Sequence, residues 1–379
     1  MNAIPYWRLS AYYLFYFASL GALVPYWGLY LQAQGFDALA IGQLLALLSA
    51  TKIIAPMVGG ALVDHSGQRM PLVRYAAFGA AFTFGTVLIA HGFWQMTAAM
   101  LLFSFFWNAS LPQVEAVTFN HLHLQPSRYA LIRLWGSIGF IVIVALLGWR
   151  LRQDDVTIIP LWIFGLFIGV WLSALFIPDS APVENHQAPV SLRSLLTHPA
   201  VIAFFAACFL MQLSHGIYYA FYSIHLQEAG YSSVAIGALW ALGVIAEVVI
   251  FLMVPRLLDH FGARHVLLWS LLFASGRWLL IGAFVEWLPI QIVAQLLHAL
   301  SFGTFHAAAI HHVHHVFSGR TQGRGQALYN SLSFGAGGAA GSLIGGLLWT
   351  DAGAALTFGV GAAAAALGWV LVWRGMTHE

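Results

Sequence analysis

The 379 residues predict an all-α membrane protein of 12 transmembrane helices, arranged as two pseudo-symmetric six-helix bundles. Three observations carry this. Hydrophobic residues make up 60% of the chain and charged residues 7%, whereas a soluble domain carries about 25% charged. The apolar sequence falls into segments of the length a bilayer requires, about 20 residues each. Two motifs recur at one constant offset of 195 residues. Gly35-Phe-Asp-Ala-Leu-Ala-Ile-Gly42 aligns with Gly230-Tyr-Ser-Ser-Val-Ala-Ile-Gly237, and the turn around Asp64 aligns with the turn around Asp259.

Polar, glycine and proline clusters divide the chain into spans near 8–33, 39–62, 71–91, 94–120, 127–149, 157–177, 199–227, 233–256, 264–284, 287–314, 322–349 and 352–373. Arg8 precedes the first apolar run without a small-residue cleavage site after it, which reads as a retained helix rather than a signal peptide. The longest connection, 178–198, is the expected cytoplasmic loop between an N-terminal bundle, 1–177, and a C-terminal bundle, 199–379. Arg8, Arg69, Arg74, Arg128, Arg193, Arg256, Arg264, Arg320, Arg324 and Arg374 flank one side, and only Arg150 and Arg152 flank the other. Basic loops stay in the cytoplasm, so both termini are expected there, in a bacterial-type inner membrane.

Composition excludes several classes. The lone Cys208 rules out a disulfide framework or thiolate metal site. A net charge of +2 gives no basis for nucleic-acid binding. No nucleotide-binding loop appears, no cofactor is expected, and ATP does not drive this chain directly. His-Glu-x-x-His and Gly-x-Ser-x-Gly are absent, and Ser49-Ala-Thr-Lys52 sits mid-helix without a companion motif, so an intramembrane enzyme has no support. A nutrient sensor would carry a large cytoplasmic extension, and only a few residues follow Arg374. A duplicated bundle with its working site between repeats is the architecture of secondary transporters. The expected partners are a small-molecule substrate, protons and the lipid bilayer.

The turn Gly60-Ala-Leu-Val-Asp64-His-Ser-Gly67-Gln-Arg69-Met-Pro-Leu72 resembles the signature loop of the major facilitator superfamily. The second copy keeps Asp259, Gly262, Arg264 and Leu267 but has Pro255 in place of the leading glycine. The resemblance implies a conformational clamp, in which the acid bridges neighbouring helix ends in one state of an alternating-access cycle. Carriers of this pattern work as single chains.

A narrower resemblance runs through nearly the whole chain. Arg133-Leu-Trp-Gly-Ser-Ile-Gly-Phe140, His215-Gly-Ile-Tyr-Tyr-Ala-Phe221, Gly243-Val-Ile-Ala-Glu247 and Leu297-His298 look like the 3-phenylpropionate permease group, which is related to the lactose permease. The lactose permease pattern implies an ion-paired acid at Glu115 and a substrate-binding arginine at Arg133. It implies a coupling acid, arginine and histidine at Glu247, Arg277 and His298. Two departures matter: Ser301 stands where that pattern has its proton-carrying acid, and Phe140 where it has a sugar-stacking tryptophan.

Charges at bilayer depth cost about 2.5–3.5 kcal/mol each on insertion scales, so they are seldom idle. Lys52, Glu115, Arg133, Glu247 and Arg277 lie inside predicted spans. Depth along antiparallel neighbours pairs Glu115 with Arg133 and Glu247 with Arg277. Lys52 maps onto Glu247 under the 195-residue offset, which suggests a pair across the two repeats. The competing reading is that these charges only hold helices together, although apolar replacement of such pairs often stabilises as well or better. Glu247 is the expected proton carrier, with His298 second because its unperturbed pKa lies near neutrality. His306 falls about two turns beyond His298, and His215 lies in the seventh predicted helix. The i, i+4 pair His311 and His315 lacks an acidic or thiol ligand, so no metal is expected.

Arg133 and Arg277 present fork-shaped cations suited to a carboxylate. Tyr26, Trp27, Phe140, Tyr218, Tyr219 and Tyr222 are the expected aromatic surroundings. Substrate contacts are assigned to Lys52, Glu115, Arg133, Phe140, His215 and Tyr219, and proton coupling to Glu247, Arg277, His298 and His306. A proton symporter for a phenylpropionate-like aromatic acid is expected. A sugar, oligosaccharide or nucleoside symporter and an uncoupled facilitator are the alternatives.

Overall fold

The computed structural model describes residues 4–122, 127–151, 156–180, 196–317 and 321–376. Arg152, Asp154, Asp155, Arg193, Arg320 and most of the expected 178–198 loop lie outside the described residues. Among the described residues the regular structure is helical, with no strand.

The helices run α1 (Tyr6–Ala33), α2 (Ala38–Ser66), α3 (Arg69–Gly85), α4 (Phe93–Leu122), α5 (Ser127–Arg150), α6 (Ile159–Phe176), α7 (Pro199–Glu228), α8 (Ser233–Phe251), α9 (Val254–Ala283) and α10 (Leu288–His298). A π-turn, Ala299–Gly303, joins α10 to α11 (Thr304–Val316). Then α12 (Gln322–Asn330) passes through a second π-turn, Ser331–Gly337, into α13 (Gly338–Gly375). Ten of these helical runs are long and apolar enough to cross a membrane. This is a multi-pass membrane protein.

The tally of ten differs from the expected 12 for two physical reasons. The last run, Gln322–Gly375, counts once although it is 54 residues long, about twice what a bilayer requires. Its helix is broken at Gly353, whose φ of 76° and ψ of 167° no helix contains. The 30-residue α4 is not among the ten. Its inner turns carry Asn108, Gln113, Glu115 and Asn120, which depress the mean hydropathy.

The repeat is written into the backbone. α1 and α7 end at Ala33 and Glu228; α2 and α8 begin at Ala38 and Ser233. α4 and α10 begin at Phe93 and Leu288, and α5 and α12 at Ser127 and Gln322. Each pair is offset by 195 residues. Gly35 and Gly230 share φ values of 84° and 86°, and Gly67 and Gly262 share 71° and 74°. These left-handed turns admit glycine far more readily than other residues, and Gly262 ends one helix and begins another within α9.

Two compact units result, Met1–Phe36 with Ala50–Glu184 and Ser232–Ala238, and Asp37–Ser49 with Asn185–Tyr231 and Leu239–Glu379. In the first unit α1 packs on α5 and α6, and α3 on α4 and α6. In the second, α13 packs on α7 and α9. Close approach depends on glycines at equivalent positions. A Cβ on Gly21 would stand 2.8 Å from Ile143, and one on Gly216 would stand 2.5 Å from the Gly338 carbonyl oxygen. Each unit also takes in the first turns of a helix from the opposite half of the sequence. The Gly42 turn of α2 lies against Ser342 and Gly346, and the Gly237 turn of α8 lies against Val144 and Gly148.

Candidate substrate and proton-coupling site

The second unit holds the most developed charged cluster. Arg277 on α9 is fully buried. Its Nε donates to the Ala294 carbonyl at 2.8 Å, Nη1 to His298 Nδ1 at 3.0 Å and Nη2 to Gln295 Oε1 at 3.4 Å. The guanidinium also lies over the rings of Tyr218, at 4.3 Å, and Trp278, at 4.5 Å. Tyr218 donates its hydroxyl to the same Gln295 oxygen at 2.9 Å.

A guanidinium only donates, so His298 Nδ1 must accept. With Arg277 in place His298 is therefore neutral and carries its proton on Nε2. That nitrogen faces Glu247 Oε2 at 3.5 Å. The expected Glu247–Arg277 pairing is thus mediated: His298 stands between the acid and the cation. Glycines make the room. A Cβ on Gly243 would press on Gln295 Oε1 at 3.1 Å, and one on Gly303 would stand 3.2 Å from Glu247 Cγ.

His298, Phe302 and His306 form a ladder of nearly parallel rings, 5.1 Å and 6.0 Å apart, with interplanar angles of 5° and 4°. His306 Nδ1 meets the Tyr329 hydroxyl at 3.1 Å. His215, expected as a substrate contact, is fully buried; its Nδ1–H donates to the Met211 carbonyl at 2.9 Å. Tyr219 is partly buried between His215 and Trp240, with ring centroids 5.9 Å and 6.3 Å away.

The first unit holds the second cluster. Arg133 lies 3.7 Å above the Phe17 ring and 5.6 Å from that of Tyr13. Its charge interacts with Glu115 on α4 and with Tyr129, which lies beside both. The Tyr129 hydroxyl stands within hydrogen-bond reach of both Arg133 and Glu115. Lys52 has no hydrogen-bond or ion-pair partner among the described residues. Phe140 is buried, its backbone against Gly21, and joins no ring contact among the described residues. Tyr26 and Trp27 are buried in packing, bonded to the Val144 carbonyl and Met100 sulfur. Tyr222 donates to Gln291 Oε1 at 3.3 Å.

The two signature turns expose their acids. Asp64 and Asp259 lie at the surface without a hydrogen bond or ion pair among the described residues. Gly60 has open space around it. Arg69 donates to Gln113 Oε1 at 2.6 Å, and Arg264 to the Trp373 carbonyl at 2.9 Å. The acid that engages a helix end is Asp179, which accepts from the Met70 amide, at the start of α3, at 3.3 Å. Arg74 donates to the last carbonyls of α6, at Ala174 and Ile177.

Sequence reasoning passed over Gln295, Phe302, Tyr129 and Asp179. Gln295 lies three residues before His298 and shares its helix face, the one signal that pointed to it. Phe302 and Tyr129 are aromatic residues in an aromatic-rich chain, and nothing local marks them.

A repeated helical membrane bundle with an interior cation–histidine–acid series in one half and an arginine–acid cluster in the other defines a membrane carrier. The profile of the MFS_1 like family matches residues 6–360, and the chain belongs to that family, within the major facilitator superfamily. It is a transporter and not an enzyme. It is 32% identical over 336 residues to the probable 3-phenylpropionic acid transporter of Escherichia coli (strain K12), across 86% of each chain. It is 27% identical over 346 residues to the maltose permease of Geobacillus stearothermophilus, across 89% of this chain and 86% of that one. Its fold matches a crystal structure of the nucleoside transporter NupG with a TM-score of 0.80, at 16% identity and 99% coverage of each chain.

Proposed function

We propose that this chain is a proton-coupled symporter of a small aromatic carboxylic acid, acting by alternating access. The observation that carries the coupling is the series Arg277–His298–Glu247. A permanent cation occupies one nitrogen of the histidine while the other faces the acid. A second proton on His298 would have to sit on Nδ1, where it meets an Arg277 N–H. Loading a proton and keeping the Arg277 hydrogen bond are therefore mutually exclusive, which links protonation to a movement of α9 against α10. His306 extends the series toward Tyr329.

Arg133 supplies the substrate subsite. Its guanidinium packs on the Phe17 ring beside Tyr13 and Tyr129, and its planar fork suits a bidentate carboxylate. Glu115 holds the arginine's orientation through charge, and Lys52 is a further contact for the bound solute. The similarity to a probable 3-phenylpropionic acid transporter supports this class. Nucleosides are the second reading, supported by the likeness to NupG and by the capacity of the same rings to stack a base.

In this reading 12 spans carry the chain through the cytoplasmic membrane as a single working unit. The 178–198 segment links the two repeats, and both termini are cytoplasmic. Asp64 and Asp259 are acids released in this conformation and engaged in another.

Purified protein in liposomes containing a pH-sensitive dye tests the proposal, with phenylpropionate, nucleosides and maltose as solutes. Proton entry on adding phenylpropionate, lost in Glu247→Gln, is the expected result. Counterflow of a solute without proton movement would sink the coupling.

A further inference from the structure

α7 carries a polar stripe that the proposed function does not use. Cys208, Gln212, His215 and Tyr219 are spaced three or four residues apart and so share one helix face. Cys208 and His215 are fully buried and Gln212 is 1% exposed. Opposite this stripe lie the two π-turns. Ser333, in the second, stands beside Cys208. A Cβ on Gly337, at its end, would stand 3.1 Å from Gln212 Cβ. Phe302, in the first, lies 5.4 Å from His215 ring to ring, and Phe334 packs edge-on against Phe302 at 6.2 Å.

Two polar atoms along this seam, Gln212 Nε2 and His215 Nε2, have no hydrogen-bond partner among the described residues, and Ser333 Oγ has only the Cys208 thiol. Leaving one such buried group unsatisfied costs about 1–3 kcal/mol. Two in one seam would be a sizeable fraction of a protein's net stability, and apolar residues of similar size would remove the cost. His215 is the most telling, because donation of Nδ1–H to Met211 leaves Nε2 as a bare acceptor with nothing to accept from. Buried water makes about three hydrogen bonds in sites of this polar character. Irregular helix at membrane depth is tolerated where it is buried in protein or lines a wet cavity, and π-turns collect at functional sites.

The seam also has functional ends. At one end the His215 ring is 6.2 Å from that of His298, which reaches Glu247. At the other lies the bonded His306–Tyr329 pair. We propose that the seam between α7 and the two π-turns binds a short file of water, which carries the coupling proton between His298 and the His306–Tyr329 pair. This rests on the proton-coupled reading of the site. The titratable and charged groups facing the file are Cys208, His215 and Tyr219 from α7, Glu247 from α8 and Arg277 from α9. His298 and His306 come from α10 and α11, and Tyr329 from α12. His215 Nε2 is the station midway: it accepts a proton from water on the His298 side and returns one on the other.

The liposome assay separates the possibilities, because the wild-type protein reads the coupling itself and the variants read the path. Gln212→Leu, His215→Phe and Ser333→Ala are compared for proton entry, for counterflow without net proton movement, and for thermal unfolding. The expected result is proton entry slowed by about tenfold or more, equivalent to about 1.4 kcal/mol of barrier, with counterflow near wild type in Gln212→Leu and Ser333→Ala. His215→Gln, which keeps a polar end, restores part of the flux. Unchanged proton entry with raised thermal stability means a dry seam relieved of unsatisfied groups, and overturns the proposal. Equal loss of proton entry and counterflow in His215→Phe, not rescued by glutamine, makes the residue structural and also overturns it. Absence of proton entry in the wild-type protein overturns the coupling and the water file together.

Discussion

Arg277 is the residue on which the second unit's chemistry turns. Its charge is fully buried and its three hydrogen bonds divide between a backbone carbonyl, a glutamine and a histidine. Lysine offers a point charge and cannot reach all three acceptors from one position. Arg277→Lys is therefore expected to slow substrate-driven proton entry by at least about tenfold while the protein still folds. Arg277→Ala leaves the buried His298 Nδ1 without its donor, and a buried group left unsatisfied costs about 1–3 kcal/mol. A clear fall in the unfolding temperature checks it. At Arg133, lysine loses the bidentate fork and the stacking on Phe17, so the KM for a carboxylate substrate should rise while that for a neutral solute should not. Equal effects on both solutes would remove the carboxylate assignment.

At the scale of the element, the glycines that bring helices together make the sharpest predictions. A Cβ on Gly303 would crowd Glu247 Cγ, and one on Gly243 would crowd Gln295 Oε1. Gly303→Ala and Gly243→Ala should disturb proton coupling more than counterflow, because they displace the acid and the Arg277 acceptor. Gly262 serves a different purpose. Its φ of 74° turns the chain within α9 with open space around it. Gly262→Ala is thus a test of backbone strain alone, with an expected cost of about 1–3 kcal/mol, read from thermal unfolding. The π-turn explains an alignment that spacing misjudges. In a regular helix residues eight apart are rotated by about 80° from one another, which would separate His298 from His306. The wider π-turn between them takes up that rotation, and both rings stack on Phe302.

On the scale of the whole molecule, each compact unit includes the first turns of a helix from the other half of the sequence. Gly42 against Gly346 is the tighter of these contacts; a Cβ on Gly42 would lie 2.8 Å from the Gly346 Cα. A Cβ added at either glycine meets backbone of the other helix, so Gly42→Ala and Gly346→Ala should each force the two turns apart. The expected outcome is a lower unfolding temperature together with slower counterflow. Unchanged unfolding and counterflow in both variants would show that this close approach is not needed.

The sequence by itself determined the membrane class, the duplication and the family. These rest on composition, on a constant offset and on a signature turn, all local or periodic properties of the chain. It also marked Glu115, Arg133, Glu247, Arg277 and His298, because charge in an apolar span is rare enough to stand out. Only the tertiary structure decided how these residues meet. It placed His298 between Arg277 and Glu247, left Asp64 and Asp259 exposed, and brought Asp179 to the start of α3. It buried His215 and set its Nδ1–H on the Met211 carbonyl. The reason is rotational. Partners across helices depend on the phase of each helix, and two π-turns, a broken α9 and glycine-set helix approaches shift that phase in ways that residue spacing does not record.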